Sequence, residues 1–277
     1  MIPAAFDYQR ASSVDEAVGL LGEHGDDAKL LAGGHSLLPL MRLRLAAPAV
    51  LVDIGRLADL SYVRSGDGQV RIGALTRHHD LATSHELREQ VPLLAHIAGQ
   101  IGDPQVRHRG TIGGSMAHGD PASDLPAALL ALRGTLVARG PGGEREIPAD
   151  EMFTGFLETA LAPDEVLTEI RVPAVGSAPW GFQKFVRRAQ DWAIVGCAAV
   201  LENGTSGGPG VGLVHMGATP LRAPGVEEAL RNGASPSDAA ARADEGTEPP
   251  DDLNASAEFR RHLAKVLVRR ALESAGA

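Results

Sequence analysis

With 277 residues, 44% of them hydrophobic and 22% charged, the chain has the composition of a folded globular protein and enough length to divide its core among more than one domain. The formal charge of −9, from 26 basic and 35 acidic residues, excludes an extended nucleic-acid footprint, and the single cysteine, Cys197, excludes a disulfide framework or an iron–sulfur cluster ligated by this chain alone. Glycine, at 33 residues, is the outlier and points to many tight turns or close backbone approaches.

Asp7 and Arg10 interrupt the N-terminal stretch, so no secretory signal is expected, and no run of 18 apolar residues suggests a spanning helix. The expectation is a cytoplasmic protein, with peripheral membrane association through a larger complex left open. Ser13 is placed to cap a helix whose Glu16 reaches back to it, with Val14, Ala17, Val18 and Leu21 as the apolar stripe. Ala28 to Ala32 reads as a short buried strand ending at Gly33 and Gly34. Leu37 to Leu45 suits a short helix broken by Pro48, and Val50 to Ile54 another strand. This alternation favours a small α/β unit over an all-β sandwich.

A second unit begins near Gly55, with a strand at Val70 to Ile72 and a helix through His85 to Ala98. Gly102 to Ser115 lacks sustained periodicity and reads as a long structured loop. Pro121 suits the first turn of a helix running to Leu132, with Leu125, Ala128, Leu129 and Leu132 on one face. Strands are expected at Thr135 to Ala138 and Glu165 to Val172, and Pro173 and Pro179 bracket a linker. Beyond it, strands at Trp192 to Leu201 and Val211 to Met216 flank a Gly/Ser turn at Asn203 to Gly210. A short helix at Glu227 to Leu230 and a packed helix at Ala257 to Leu272 end the chain. Cys197 sits among Ile194, Val195, Ala198 and Val200 and reads as a core residue rather than a nucleophile.

Two glycine pairs carry the chemistry. In Ala32-Gly33-Gly34-His35-Ser36, glycines allow backbone amides close to phosphate oxygens, the serine adds a hydroxyl, and a neutral His35 has hydrogen-bonding capacity for a cofactor. In Thr111-Ile112-Gly113-Gly114-Ser115, the same provision recurs, followed by Asp120 and Asp124. Carboxylates repel phosphate, so these acids suit sugar or ribityl hydroxyls, although Asp124 equally fits a first-turn helix acid. Lys184, Arg187 and Arg188 form a basic cluster suited to an anionic cofactor or to solvent. Neither glycine pair fits G-x-G-x-x-G, and no G-x-x-x-x-G-K-[ST] occurs, so a Rossmann or P-loop reading loses its support. What remains is a bipartite site, two distant segments meeting on one dinucleotide.

These segments, with Leu43-Arg44-Leu45, Leu51-Val52-Asp53-Ile54, Asp120-Pro121-Ala122-Ser123-Asp124-Leu125-Pro126 and the run from Phe185 to Ala193 containing Arg187, Asp191 and Trp192, resemble the FAD-binding medium subunits of carbon monoxide dehydrogenases and related molybdenum hydroxylases. The resemblance spans essentially the whole chain. One departure is Ser115, where many relatives have Asn; serine has a shorter polar reach.

The resemblance implies an α+β fold with FAD-binding subdomains at 1–55 and 56–176 and a C-terminal flavoprotein domain at 177–277. It assigns FAD contacts to Ala32, Gly33, Gly34, His35, Ser36, Leu37, Thr111, Gly113, Gly114, Ser115, Asp120, Asp124, Lys184 and Trp192, and no catalytic residue or metal ligand to this chain. By the same resemblance, Lys184 and Trp192 lie near the flavin ring, with Trp192 either an aromatic platform or an ordinary buried tryptophan. The implied function is electron transfer. A molybdenum-binding large subunit holds the molybdenum cofactor, an iron–sulfur small subunit holds [2Fe-2S] clusters, and an external acceptor such as quinone or NAD takes the electrons. A stand-alone FAD-dependent oxidoreductase and a nonredox nucleotide-binding assembly protein are the alternatives.

Overall fold

A computed structural model describes residues 2–202 and 207–277. The first sheet is parallel: β1 (Asp7–Arg10), β2 (Ala28–Leu31) and β3 (Val50–Asp53) stand in the order β1-β3-β2, with α1 (Val14–His24) and α2 (Leu37–Leu43) in the connections. Ser13 caps α1 by accepting from the Glu16 amide at 3.1 Å. The reciprocal bond falls one residue early, because the Glu16 carboxylate accepts from the Ser12 amide at 2.7 Å and from its hydroxyl rather than reaching Ser13.

The second sheet is antiparallel, in the order β4-β5-β10-β6-β7. Its hairpin β4 (Val63–Gly66) and β5 (Gln69–Gly73) leads into six helices: α3 (His78–Thr83), α4 (His85–Gln90), α5 (Pro92–Gly99), α6 (Pro104–Arg107), α7 (Ile112–His118) and α8 (Asp124–Ala131). Then follow β6 (Thr135–Gly140), β7 (Gly143–Pro148), α9 (Ala149–Met152), a small hairpin of β8 (Phe153–Gly155) and β9 (Glu158–Thr159), and β10 (Val166–Pro173). Three sequence expectations change here. The helix expected over His85 to Ala98 is two helices, because Pro92 forces Val91 out of helical geometry, at φ −144° and ψ 63°. The loop expected at Gly102 to Ser115 contains α6 and the start of α7. Helix α8 starts at Asp124 rather than Pro121.

The third sheet runs β11-β12-β13-β14, from β11 (Trp180–Phe185), β12 (Val195–Val200), β13 (Gly210–Val214) and β14 (Leu221–Arg222), and is covered by α10 (Pro224–Arg231), α11 (Pro236–Ala240) and α12 (Ala257–Ser274). Residues 203–206 of the expected Gly/Ser turn lie outside the described residues. Trp192 lies before β12, not within it. Cys197 is fully buried in β12, and desolvation pushes its thiol up to about 12, so it is not a thiolate nucleophile.

Every residue of α8 is buried because this helix lies between the second sheet's helices and the third sheet. Two β13 glycines make that contact. A Cβ on Gly210 would meet the Ala131 carbonyl oxygen at 1.9 Å, and one on Gly212 the Ala127 oxygen at 2.0 Å. Burial of Leu125 and Leu129 contributes about 1.5–3 kcal/mol each toward holding α8 there. The result brings Asp124, at the start of α8, to the edge of β11.

Candidate functional site

The first glycine segment leaves β2 at Leu31 and crosses to α2. Gly34 adopts φ +76°, a conformation that favours glycine. Among the described residues, none of the amides of Gly33, Gly34, His35 and Ser36 finds an acceptor within the chain, and the Ser36 hydroxyl makes no capping bond to α2. The His35 ring turns back to the Gly33 carbonyl, with Nδ1 3.2 Å away. Gly33 has a separate steric reason for its identity: a Cβ there would lie 2.2 Å from the Arg109 carbonyl oxygen. The first segment therefore rests directly on the backbone leading into the second.

The second segment is organised differently. Thr111 is the N-cap of α7, and its hydroxyl accepts from the Gly114 amide at 3.1 Å. The Ile112 amide donates to the Thr76 carbonyl at 3.0 Å and the Gly113 amide to the Ala74 carbonyl at 2.8 Å. The expectation that both glycine pairs present amides to phosphate is corrected: the amides of Ile112, Gly113 and Gly114 are already bonded. Gly113 is glycine because a Cβ would collide with Ala74, 2.6 Å from its carbonyl oxygen.

His78 was not anticipated by sequence pattern, since nothing in the spacing of Arg77, His78 and His79 distinguishes one ring from the other. It is 4% exposed, packs over Gly110, and places Nε2 3.4 Å from the Ser115 hydroxyl, while Nδ1 has no partner among the described residues. Burial, with the nearby His35 and Arg107 adding to it, holds its imidazole down at about 4, so the ring is neutral near pH 7.

Across the cleft, Lys184 Nζ donates to Asp124 Oδ2 at 2.6 Å, joining β11 to the first turn of α8. Asp124 is 4% exposed, and its Oδ1 has no partner among the described residues. Burial raises its carboxyl above the ordinary range, against the opposing pull of Lys184. The basic cluster is thus split: Lys184 turns inward, whereas Arg187 and Arg188 are exposed and Arg188 pairs with Asp191 at 3.1 Å. Asp120 spends Oδ1 on the Ala122 amide at 2.8 Å, which shapes the turn before α8. Trp192 is 73% exposed, which rules out the buried-tryptophan reading and puts an indole at the rim.

All these elements line one cleft of about 450 Å³. It contains each of Ala32, Gly33, Gly34, His35, Ser36, Leu37, Thr111, Gly113, Gly114, Ser115, Asp120, Asp124, Lys184 and Trp192. It also gathers apolar residues with no polar signature in the sequence, among them Leu30, Ile54, Val106, Leu161 and Leu167. A polar ligand fits these groups: four free amide donors at one end, and the unpartnered His78 Nδ1 and the acceptor Asp124 Oδ1 on residues of the wall.

Comparisons with known proteins agree along the whole length. Residues 4–175 match the model for the FAD binding domain in molybdopterin dehydrogenase, and residues 180–275 match that for the CO dehydrogenase flavoprotein C-terminal domain. The carbon monoxide dehydrogenase medium chain of Hydrogenophaga pseudoflava is 43% identical, over 100% of this chain and 99% of that one. The 6-hydroxypseudooxynicotine dehydrogenase complex subunit alpha of Paenarthrobacter nicotinovorans is 39% identical, over 99% and 96%. The solved structure of the Hydrogenophaga pseudoflava carbon monoxide dehydrogenase lacking the Mo-pyranopterin moiety superposes with a TM-score of 0.94 at 44% identity, over 100% of this chain and 99% of that one. The chain therefore belongs to the FAD-binding medium-subunit family of molybdenum hydroxylases, and is a carbon monoxide dehydrogenase-like flavoprotein oxidoreductase subunit with the α+β fold of that family.

Proposed function

We propose that the cleft holds FAD as an electron relay between partner iron–sulfur clusters and an external acceptor. The observation that carries this reading is the convergence of two segments 80 residues apart on one cleft, with free amides on one and a buried carboxylate–ammonium pair opposite. The Gly33 to Ser36 amides and the Ser36 hydroxyl are suited to the pyrophosphate. Asp124 Oδ1 is suited to accept from a sugar or ribityl hydroxyl while Lys184 neutralises the carboxylate. His78 stays neutral and offers hydrogen-bonding capacity without adding charge, and Trp192 shields the rim from water. Bound FAD supplies exchange between two-electron and one-electron carriers.

The wider assembly follows by family likeness. We assign the molybdenum cofactor to a molybdenum-binding large subunit and the [2Fe-2S] clusters to an iron–sulfur small subunit, because one buried cysteine cannot ligate a cluster. Carbon monoxide is the favoured fuel, on the likeness to the Hydrogenophaga pseudoflava chain, and quinone or NAD the acceptor. The sheets support a division into FAD-binding subdomains at 1–55 and 56–176 and a C-terminal flavoprotein domain at 177–277. Among the described residues no helix is long and apolar enough to cross a membrane. We place the complex in the cytoplasm, with peripheral membrane contact through its acceptor.

Purification of the chain at native abundance tests the reading. Copurification of two partners, one larger and one smaller, with an oxidised-flavin spectrum whose chromophore is released by denaturation as FAD, is the expected result. A fully active enzyme without partners would overturn it.

A further inference from the structure

The segment carrying Trp192 is the nine-residue connection 186–194 between β11 and β12, closed at its base by the Ile194 amide donating to the Phe185 carbonyl at 2.8 Å. Gln190, Asp191 and Trp192 from this connection line the cleft, and Gln190 adopts φ +72°. Its polar contacts within itself are an Arg188–Asp191 pair and the Asp191 amide on the Arg188 carbonyl. Such surface contacts contribute little, so anchorage has to come from its end.

That end is gripped from the C-terminal unit. His215, just past β13, places Nδ1 2.9 Å from the Ala193 carbonyl oxygen and 3.1 Å from Arg260 Nη1. Arg260 Nη1 also donates to the Ile194 carbonyl, and its Nη2 donates to Asp252 at 2.8 Å. Arg260 is completely buried on α12, a costly position for a guanidinium unless its bonds matter to the fold around it. With its proton on Nδ1 the His215 ring donates to Ala193; with its proton on Nε2 it accepts from Arg260. Either tautomer ties the ring into this network.

The His215 backbone grips the other wall. Its amide donates to the Pro121 carbonyl at 2.7 Å, in the turn that presents Asp120, Ser123 and Asp124. His215 holds φ +61°, a conformation unusual for a residue other than glycine, which is what lets its amide and its ring face two different segments. None of His215, Asp252 or Arg260 lines the cleft.

From this geometry we infer that His215 and Arg260 are positioning residues that fix the Trp192 segment relative to the Asp124 turn and so set the width of the flavin end of the cleft. This rests on the FAD reading for its consequence, but not for its structural content. Glycine and asparagine both tolerate positive φ, so His215→Gly and His215→Asn differ mainly in the lost or kept amide donor toward Ala193. Arg260→Lys keeps the charge on Asp252 and loses the fork.

Amide hydrogen exchange on the full-length, FAD-free chain reads the segment directly. The hydrogen-bonded amides of Asp191 and Ile194 are expected to exchange about tenfold faster in His215→Gly and in Arg260→Lys, with His215→Asn close to the parent chain. In the same proteins FAD affinity, titrated by flavin fluorescence, is expected to fall about tenfold in the first two and recover in the third. Unchanged exchange in His215→Gly, or His215→Asn no better than His215→Gly, would overturn the inference, as would faster exchange with unchanged FAD affinity. Failure of the parent chain to take up FAD would instead count against the FAD reading, and the exchange rates would still decide the anchoring role.

Discussion

The two glycine pairs look alike in sequence and differ in what their backbone amides do. At Gly33-Gly34 the backbone keeps its amides free and lies at the edge of the cleft, with His35 and Ser36 exposed. At Gly113-Gly114 the amides are consumed by Ala74 and by the Thr111 cap, and Gly113 is buried against the second sheet. Both glycine pairs thus permit close packing, and only the first leaves its amides without acceptors among the described residues. In the FAD reading proposed above, the rim supplies the donors for recognition and the wall sets the shape of the cleft.

The sharpest break in this comparison comes from the wall's ion pair. Lys184→Ala leaves a buried carboxylate unpaired, and the expected loss of about 3–5 kcal/mol is to be read by urea unfolding at pH 7. The sign with pH is set by burial, which already raises the Asp124 carboxyl. Stability linked to a raised carboxyl is present at low pH and lost as pH rises, so the deficit of Lys184→Ala shrinks on acidification. Replacing both partners with apolar residues, Lys184→Met with Asp124→Leu, is expected to restore most of the stability while abolishing FAD retention. Equal losses in the single and double variants would show that the pair is not the source. At the rim, Ser36→Ala stays within about 0.5 kcal/mol.

How far the sequence reveals this division differs between the two walls. Glycine spacing, the absence of a single-loop nucleotide motif, Lys184 and Trp192 are enough to assemble the cleft's residue types, and the Ser13 cap and the final helix are readable from local rules. The start of α7 is hidden because two consecutive glycines are poor helix formers, and only the Thr111 cap and packing on Ala74 override that preference. The Asp124–Lys184 pair spans 60 residues and exists because β13 glycines let the third sheet lie on α8. His78 carries no periodic signal, whereas Arg260 falls in phase with the Leu263, Ala264, Leu267 and Val268 stripe of α12 and only its charge argues for solvent.

His78 offers a second way to separate wall from rim. Its ring is held at about 4 by burial, against an ordinary 6.5, so the folded chain refuses a proton that the unfolded chain accepts. Above pH 6.5 the two states agree and the residue contributes no pH dependence; between 6.5 and 4 stability is lost as pH falls, by about 3 kcal/mol over the whole window. His78→Gln removes that dependence, so the stability difference between parent and variant is expected to move in the variant's favour from pH 7 to pH 4. A constant difference across that range would mean that the ring is protonated as readily in the folded chain as in the unfolded one.

The comparison is tested most directly by the same substitution at the two glycines. Gly113→Ala forces a methyl group into Ala74 backbone that cannot retreat; overpacking of this kind costs about 1–3 kcal/mol, partly offset by about 1 kcal/mol of helix propensity. Its expected signature is a lowered unfolding midpoint with a moderate effect on FAD affinity. Gly33→Ala meets the Arg109 carbonyl more closely still, and its half-buried segment has to move off that backbone to take the methyl group. That movement carries the free amides away from the proposed phosphate position, so FAD affinity is expected to fall about tenfold, or about 1.4 kcal/mol, a larger effect on binding than that of Gly113→Ala, with a stability loss of about 1–3 kcal/mol in the FAD-free chain. Matched losses of affinity in both variants would mean that the two glycine pairs share one role and that the free amides at the rim are incidental to binding.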